Sequence, residues 1–517
     1  MDSVAGHLLP EDGVFAFLAA HRGVLFPDAM FADLFRSGRG RPSVPAPVVA
    51  TVLVLQALHG LSDREAADAV TFDLRWKAAC GLPVTAPVFH PTTLTYWRAR
   101  LARSERPNRV FEAVREVVQA CGALRGKTRR ALDSTILDDA VATQDTVTQL
   151  VAAIRRVART LPGGQVLVNA AATRSGYDYQ RPGKPEIAWD DVAARAQLID
   201  DLVRDACAVL AAVVAAQDSG ALVVEGASAD AVGLLALVAG QDVELVPDPV
   251  DPQGPGRWQV AQRVPHDRVI STVDPDARHA HKTTSRRQDG FKAHVVVEPD
   301  TGLVTACEVT KASGEGSGDA AAAAQLLSTD TTLEHGQRIE VLGDSAYGTG
   351  DMLAALDAAG HVPLVKPWPI NSAVPGGFTI DDFTVDTAQD TVTCPAGVTK
   401  TINSGRQVNF GVACRGCPLR ERCTRSATGK SMRIRDHDAL QRAHRTRASD
   451  PVFVATYRQH RPMVERSLAW LTRGNRRLRY RGTSKNNAWL HLRVGAINLR
   501  RLLNLGLIHQ DRTWVLA

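Results

Sequence analysis

The stretch from Gly290 to Thr310 reads GFKAHVVVEPDTGLVTACEVT, two alternating apolar runs either side of the turn cluster Pro299-Asp300-Thr301-Gly302. Period-two runs joined by turn residues predict an antiparallel β-hairpin. Towards the C-terminus, IEVLGDSAYG at 339–348 predicts another strand, followed by a helix over 350–359 and a short strand in HVPLVKP at 361–367. Towards the N-terminus, RRALDSTIL at 129–137 is a short apolar run that delivers Asp133 at the end of a strand. The order strand, long insertion, hairpin, helix, strand, helix, strand suits a mixed sheet flanked by helices.

The flanking sequence has a different period. From Val44 to about Ala120 apolar residues recur at helical spacing, and Ser62 opens SDREAADAV as a capping box with Glu65 three residues on. This predicts an all-helical N-terminal domain over 1–125; an ordinary bundle is the simplest reading, and no signature decides for a DNA-reading helix-turn-helix. The catalytic candidate residues fall in 126–517. Within it, 140–260 reads as a helical insertion, with helical periodicity at 145–160 and 190–216, and 370–450 as a polar insertion containing four cysteines. Amphipathic helices return near Pro451 and run to about Leu507; Pro462 either kinks the first of them or begins it.

The chain has 517 residues, 22% charged and 44% hydrophobic, enough for several packed domains. The longest apolar run, Ala206 to Ala216, has 11 residues, well short of the ~20 that a membrane helix needs, and no basic segment leads an apolar stretch at the N-terminus. A cytoplasmic protein with reduced cysteines is expected. The net charge of +6 is unevenly spread: Arg415 to Arg501 holds 22 Lys and Arg against 5 Asp and Glu, so this segment carries +17 and the rest −11. Such clustering suits a polyanionic partner. Arginine outnumbers lysine 51 to 10, which favours forked contacts to phosphate, although a GC-rich genome gives the same ratio. Neither a nucleotide-binding Gly-x4-Gly-Lys-Ser/Thr loop nor a Gly-x-Ser-x-Gly elbow occurs, so ATP and serine hydrolysis are not implied. SGEGSGDA at 313–320 reads as a flexible connection.

In-line phosphoryl transfer can be driven by two divalent ions about 3.5–4 Å apart, and hard cations take carboxylate ligands. Asp133 and Asp344 each end a predicted strand, and Glu465 in RPMVERSLAWL can bring a third carboxylate from a helix. Each also has a plain structural reading: a turn or cap at Asp133, a turn into a helix at Asp344, a surface pair with Arg461 or Arg466 at Glu465. Three acids at element ends beside a segment of +17 favour the catalytic reading.

The strings LDST, VLGDSAYG and RPMVERSLAWLTRGNRRLRYRG, together with VDPDARHAHKT and DGFKAH, resemble the signature blocks of bacterial insertion-sequence DDE transposases with a helical N-terminal domain and a ribonuclease H-like core. The resemblance extends from about Phe26 to Leu507. It implies that Asp133, Asp344 and Glu465 are a catalytic triad holding two Mg²⁺ (or Mn²⁺) ions. It further implies double-stranded DNA as partner, both element ends and target, and a homodimeric synaptic complex without a nucleotide cofactor. The family's Tyr-x2-Arg-x3-Glu-x6-Lys pattern is met by Arg461 and Glu465; Tyr457 lies one residue too far from Arg461, and Thr472 takes the lysine's place with Arg473 beside it. Arg461 is expected to position phosphate, with Tyr457 and Arg473 as substitutes. The expected function is transposition: binding terminal inverted repeats, cutting DNA and joining the ends to a target. Two alternatives share these features, a non-catalytic DNA-binding regulatory derivative and a ribonuclease H-like nuclease that only hydrolyses.

Arg473, Arg476, Arg477, Arg479, Arg481 and Lys485 form the densest basic run, and Arg278, His279, His281, Lys282, Arg286, Arg287 and Lys292 a second; both are expected on the DNA backbone, against a reading as solvated loops. Cys80, Cys121, Cys207 and Cys307 are isolated in apolar surroundings and read as core residues. Cys394, Cys414, Cys417 and Cys423 cluster within 30 residues around a Cys-x2-Cys knuckle, which reads as a structural Zn²⁺ site or four free thiols.

Overall fold

The computed structural model describes residues 6–35, 43–247, 253–263, 265, 267–281 and 287–517. Lys282 and Arg286 lie outside the described residues. The N-terminal helices are α1 (Val14–Leu25), α2 (Ala46–His59), α3 (Asp63–Phe72), α4 (Leu74–Ala79), α5 (Thr92–Arg103) and α6 (Arg109–Ala120). The capping box at Ser62 forms: its hydroxyl accepts from the Glu65 backbone N–H, and the Glu65 carboxylate accepts from the Ser62 N–H. Helix α2 is buried along nearly its whole length, which makes it the axis of this unit.

Strand β1 (Arg129–Asp138) enters the second unit. The helical insertion follows as α7 (Thr146–Thr160), α8 (Gly164–Ala171), α9 (Val192–Asp218) and α10 (Ala227–Gln241), with a ladder of β2 (Val243–Val246) and β3 (Arg257–Val260). Leu150, Ile154, Leu202, Val209 and Leu235 give it a core of its own. Next come β4 (Arg278–His281), β5 (Arg287–Val297), β6 (Val304–Lys311), α11 (Asp319–Ser328), β7 (Glu340–Gly343), α12 (Gly350–Ala358) and β8 (Val362–Val365). The 313–320 segment turns at Gly314 and Gly316, both at positive φ, and then starts α11.

Among the described residues six strands make the main sheet, ordered β4-β5-β1-β7-β8 with β6 also on β5. The predicted hairpin is β5–β6, antiparallel; β5 is antiparallel to β1, and β7 and β8 run parallel to β1 in succession. This order, with helices on both faces, is an α/β mixed sheet consistent with a ribonuclease H-like core plus a helical domain. One detail differs from expectation. Strand β1 continues to Asp138, because β5 pairs with it from Ala131 through Asp138, so Asp133 stands mid-strand.

The cysteine-bearing insertion holds β9 (Thr384–Asp386), β10 (Thr391–Thr393), β11 (Thr399–Thr401), β12 (Gln407–Asn409) and β13 (Ser431–Arg433). Helix α13 (Asp438–Ala448), the long helices α14 (Pro451–Thr472) and α15 (Thr483–Asn504), and a terminal hairpin of β14 (Leu507–Gln510) and β15 (Thr513–Leu516) complete the chain. Pro462 lies inside α14, which begins instead at Pro451 under an Asp450 cap. Helices α14 and α15 cover the sheet face that carries Ala131, Leu137, Phe291 and Val295, while α11 and α12 cover the face of Leu132, Val296 and Val341. Helix α15 also enters the N-terminal core through Ala496, Leu499 and Leu502.

Of the cysteines expected in cores, Cys80 and Cys307 are buried and Cys121 half-buried, but Cys207 is exposed. It occupies the outer face of α9, next to fully buried Ala206. No single helix among the described residues is long and apolar enough to cross a membrane.

Candidate active site

The parallel pairing of Ala131 with Leu342 fixes the geometry. Continued by two residues, this register sets Asp133 on β1 level with Asp344, the first residue beyond β7. Asp344 Oδ1 accepts from the Ala346 backbone N–H at 2.9 Å, capping the short turn Ser345–Tyr347. Gly343 leaves room for the Tyr347 side chain: a Cβ at this position would lie 3.0 Å from it, and one of the two would have to shift.

Helix α14 crosses this edge and contacts β1, β7 and β8. Tyr457, Arg461 and Glu465 follow one another at intervals of four residues and so share one helix face. Arg461 is buried, and its Nη2 donates to Asp133 Oδ2 at 2.9 Å. Its Nε and Nη1 are also buried, and Tyr457 is the other side chain that interacts with the guanidinium. Glu465 is exposed, and its side chain forms neither a hydrogen bond nor an ion pair among the described residues.

The electrostatics show acids crowded around one cation. Burial pushes the Asp133 carboxyl above its ordinary range; Arg461 and the Ser134 N–H oppose this, and the charge of Asp344 adds to it. Burial works against the charge of Arg461, yet Asp133 and Tyr457 outweigh it and hold the guanidinium above its usual value. Burial raises the Tyr457 phenol, with Arg461 opposing and Asp344 and Glu465 adding to the rise. Tyr457, one residue off the family spacing, therefore stands among Arg461, Asp344 and Glu465.

The donor set fits a hard divalent cation. All three candidates are oxygen donors, and burial raises the Asp133 carboxyl in spite of its arginine, a cost to the carboxylate that a bound cation would offset. Asp133, Asp344 and Glu465 are the residues that would hold the ions. Among the described residues, no three His, Cys, Asp or Glu side chains already stand in a geometry that holds an ion. The strands bring Asp133 and Asp344 level at one edge, and Glu465 lies one turn beyond Arg461 on the helix that crosses it.

A polar cluster lies under this edge on the opposite sheet face; of its members the sequence singled out only Lys292, and for the DNA backbone. Ser134 Oγ donates to Asp319 Oδ1 at 2.7 Å. Lys292 Nζ lies 3.4 Å from the same oxygen and donates to the Ser317 carbonyl at 3.2 Å. His294, opposite Ser134 in the β1–β5 register, has its Nε2 3.0 Å from Thr310 Oγ1 and its Nδ1 3.7 Å from Asp319. Tyr347 is buried beside them, its phenol raised far above normal by burial and by the charges of Asp319, Asp133 and Asp344. The available signal was period two: Lys292 and His294 alternate with apolar residues along β5 and must share a face.

The basic run divides by task. Arg473, Arg477, Arg481 and Lys485 are exposed. Arg476 is half-buried and donates to the Ile136 carbonyl at 3.0 Å, tying the run to β1. Arg479 donates to the Gly60 carbonyl at 3.0 Å, reaching the turn between α2 and α3. In the second segment Arg278 is buried on Asp267, while His279 lies 2.6 Å from Asp289 and Lys292 belongs to the cluster just described.

Comparison with protein families gives two matches. Residues 393–503 match a family described as "Transposase DDE domain", and residues 10–100 match one described as "Transposase domain (DUF772)". The first span takes in Arg461, Glu465 and the four clustered cysteines, and Asp133 and Asp344 lie outside it. No curated protein and no solved structure matches the chain.

Proposed function

We propose that this chain, two segments of which match transposase families, one of them a DDE domain, is an insertion-sequence transposase that binds the terminal inverted repeats of its own element and catalyses metal-dependent DNA cleavage and strand transfer. The family implies DNA as partner and divalent metal ions as cofactor. The observation that carries the finer reading is the level placement of Asp133 and Asp344 on neighbouring parallel strands, under a helix face presenting Arg461 and Glu465.

Two Mg²⁺ or Mn²⁺ ions held by Asp133 and Asp344, with Glu465 completing one, would activate the attacking oxygen and stabilise the leaving oxygen of an in-line displacement. Arg461 fixes the Asp133 carboxylate by its Nη2 and is the residue assigned to positioning a phosphate beside it. Tyr457 backs the guanidinium from the same helix face. Exposed Arg473, Arg477, Arg481 and Lys485 take the DNA backbone beyond the site, and Arg476 and Arg479 hold that run against the protein. Water and a DNA 3′-hydroxyl use the same site, so cutting and joining follow from one arrangement. A homodimer holding both DNA ends, acting in the cytoplasm without a nucleotide cofactor, completes the proposal.

The test is a cleavage and joining assay with magnesium on labelled duplexes taken from the DNA flanking the gene, comparing wild type with Asp344→Asn. Joined products in the wild type, lost in the variant, are expected. Cleavage that never yields joined products would replace this reading with that of a nuclease, and binding without cleavage would replace it with that of a regulatory derivative.

A further inference from the structure

The cysteine-bearing insertion has very little to hold it together. Its five strands are three residues each, and its core consists of Phe383, Val392, Val408, Phe410, Cys423 and Ile434. A unit of this size rarely gains enough from apolar burial alone and is usually stapled by a disulfide or a metal. All four of its cysteines are free thiols.

These four thiols, carried by separate pieces of backbone, line one cavity. Cys394 follows β10 and starts a tight turn in which the Gly397 N–H donates to the Cys394 carbonyl at 2.8 Å and the Cys394 N–H donates to the Val398 carbonyl at 2.9 Å. Cys414 ends the turn Gly411–Cys414, Cys417 follows after two residues, and Cys423 closes the single turn Arg420–Cys423. The cavity is about 20 Å³ and is lined by Cys394, Cys414, Cys417 and Cys423 with Lys430 and Arg420 at its wall. That space admits a single ion and no organic ligand. The Lys430 backbone N–H donates to Cys414 Sγ at 3.5 Å, an interaction that favours a sulfur carrying negative charge.

We propose that Cys394, Cys414, Cys417 and Cys423 form a structural zinc site. Soft sulfur donors in a closed four-ligand set select Zn²⁺ over the hard cations suited to Asp133 and Asp344. On binding, the four thiols lose their protons to solvent and become thiolates; four negative charges around one divalent ion leave a site of net −2, which Lys430 and Arg420 offset. The thiols face one space without yet being gathered in metal-holding geometry, so the ion draws them to Zn–S distances of about 2.3 Å. The site also bears on the catalytic edge. The insertion is fastened to α13 by the Arg445–Asp381 pair and by the Arg442 bond to the Phe383 carbonyl, and α13 leads directly into α14 with Arg461 and Glu465. Zinc therefore positions the helix that carries part of the active site while contributing nothing to the chemistry.

The test is metal analysis of the full-length protein purified without chelator under reducing conditions, alongside Asp344→Asn, Cys121→Ser and the double variant Cys414→Ser/Cys417→Ser. One zinc per chain is expected in the wild type, in Asp344→Asn and in Cys121→Ser, and none in the double variant. Should the double variant fail to fold, titration of the wild type with a mercurial reagent reads the same site, with one zinc released as four thiols react. A wild type without zinc even after reconstitution, a double variant that keeps it, or loss of zinc in Asp344→Asn would each overturn the proposal.

Discussion

Arg461 and Asp133 are buried together, with side chains 6% and 13% exposed, at the centre of the candidate site. Removing one partner of such a pair strands the other charge, which costs about 3–5 kcal/mol, so Arg461→Ala should lower stability on that scale. The Asp133→Ala/Arg461→Ala double variant should lose much less than the two single losses added together; urea denaturation of the four proteins measures that coupling. His294 gives a second prediction. Burial holds its imidazole down to about 4 from an ordinary 6.5, with Asp319 opposing and Lys292 reinforcing the shift. The native state therefore refuses a proton that the unfolded chain accepts. This contribution to stability is complete above about 6.5 and is lost as the pH falls towards 4, in total on the order of 3 kcal/mol. His294→Gln should flatten the fall of melting temperature between pH 6.5 and 4.5, and an unchanged slope would remove His294 as its cause. The sequence made the acids and Arg461 legible because they fall in strings with a known pattern. Tyr457 was harder to place, since it departs from that pattern by one residue, and only the helix period brings it onto the face of Arg461. Asp319 was hidden in a glycine-rich string whose turns give no periodicity to read.

The elements were more legible than the residues between them. The hairpin around Pro299, the strand before Asp344 and the last long helix form where their apolar periods predict, while the helix before it runs from Pro451 through Pro462, a point the sequence left open. The end of β1 was not legible, because Ser134 and Thr135 interrupt the apolar run and only the length of β5 keeps the strand going. Nor does the sequence show how the outer edge of β6 is satisfied. Asn498 on α15 supplies both bonds to one residue of that edge: its Oδ1 accepts from the Val304 N–H at 2.9 Å, and its Nδ2 donates to the Val304 carbonyl at 2.7 Å. Farther along, Asn487 Oδ1 accepts from the Val309 N–H at 3.0 Å. A side-chain amide carries one donor and one acceptor in the geometry of a peptide, so α15 takes the place of a neighbouring strand and closes the edge. Asn498→Leu keeps the branched heavy-atom skeleton and leaves two buried backbone groups unpaired, at about 1–3 kcal/mol each. A lower midpoint of chemical denaturation is expected; no change would mean that water reaches the strand.

Across the whole molecule α15 is shared property. Its Arg493 is 4% exposed and donates to the carbonyls of Ala57 and Leu58 at the end of α2 and to that of Trp470 on α14. Burial lowers its guanidinium to about 10, with Arg500 adding to the fall, so it remains charged at neutral pH and its carbonyl partners are charge-assisted acceptors. Gly495 lies where an added Cβ would be 3.4 Å from Phe111 on α6, so helix and domain meet at backbone distance. The N-terminal helices thus dock on α15 as on a last member of their own bundle. A chain starting at residue 126 should expose Ala496, Leu499 and Leu502 and aggregate, which light scattering of the purified fragment would show; a monodisperse, stable fragment would mean that the two units fold apart.

That sharing sets an order of events during synthesis. Helix α2 leaves the ribosome long before the helix that completes its core, and at about 5–20 residues per second the wait is roughly 20–90 s. Glu465 and the exposed arginines also emerge late, so neither an interrupted message nor a frameshifted copy yields a fragment with all three acids. The acids and the arginines proposed to work together are therefore present in one chain only when nearly all of it has been made.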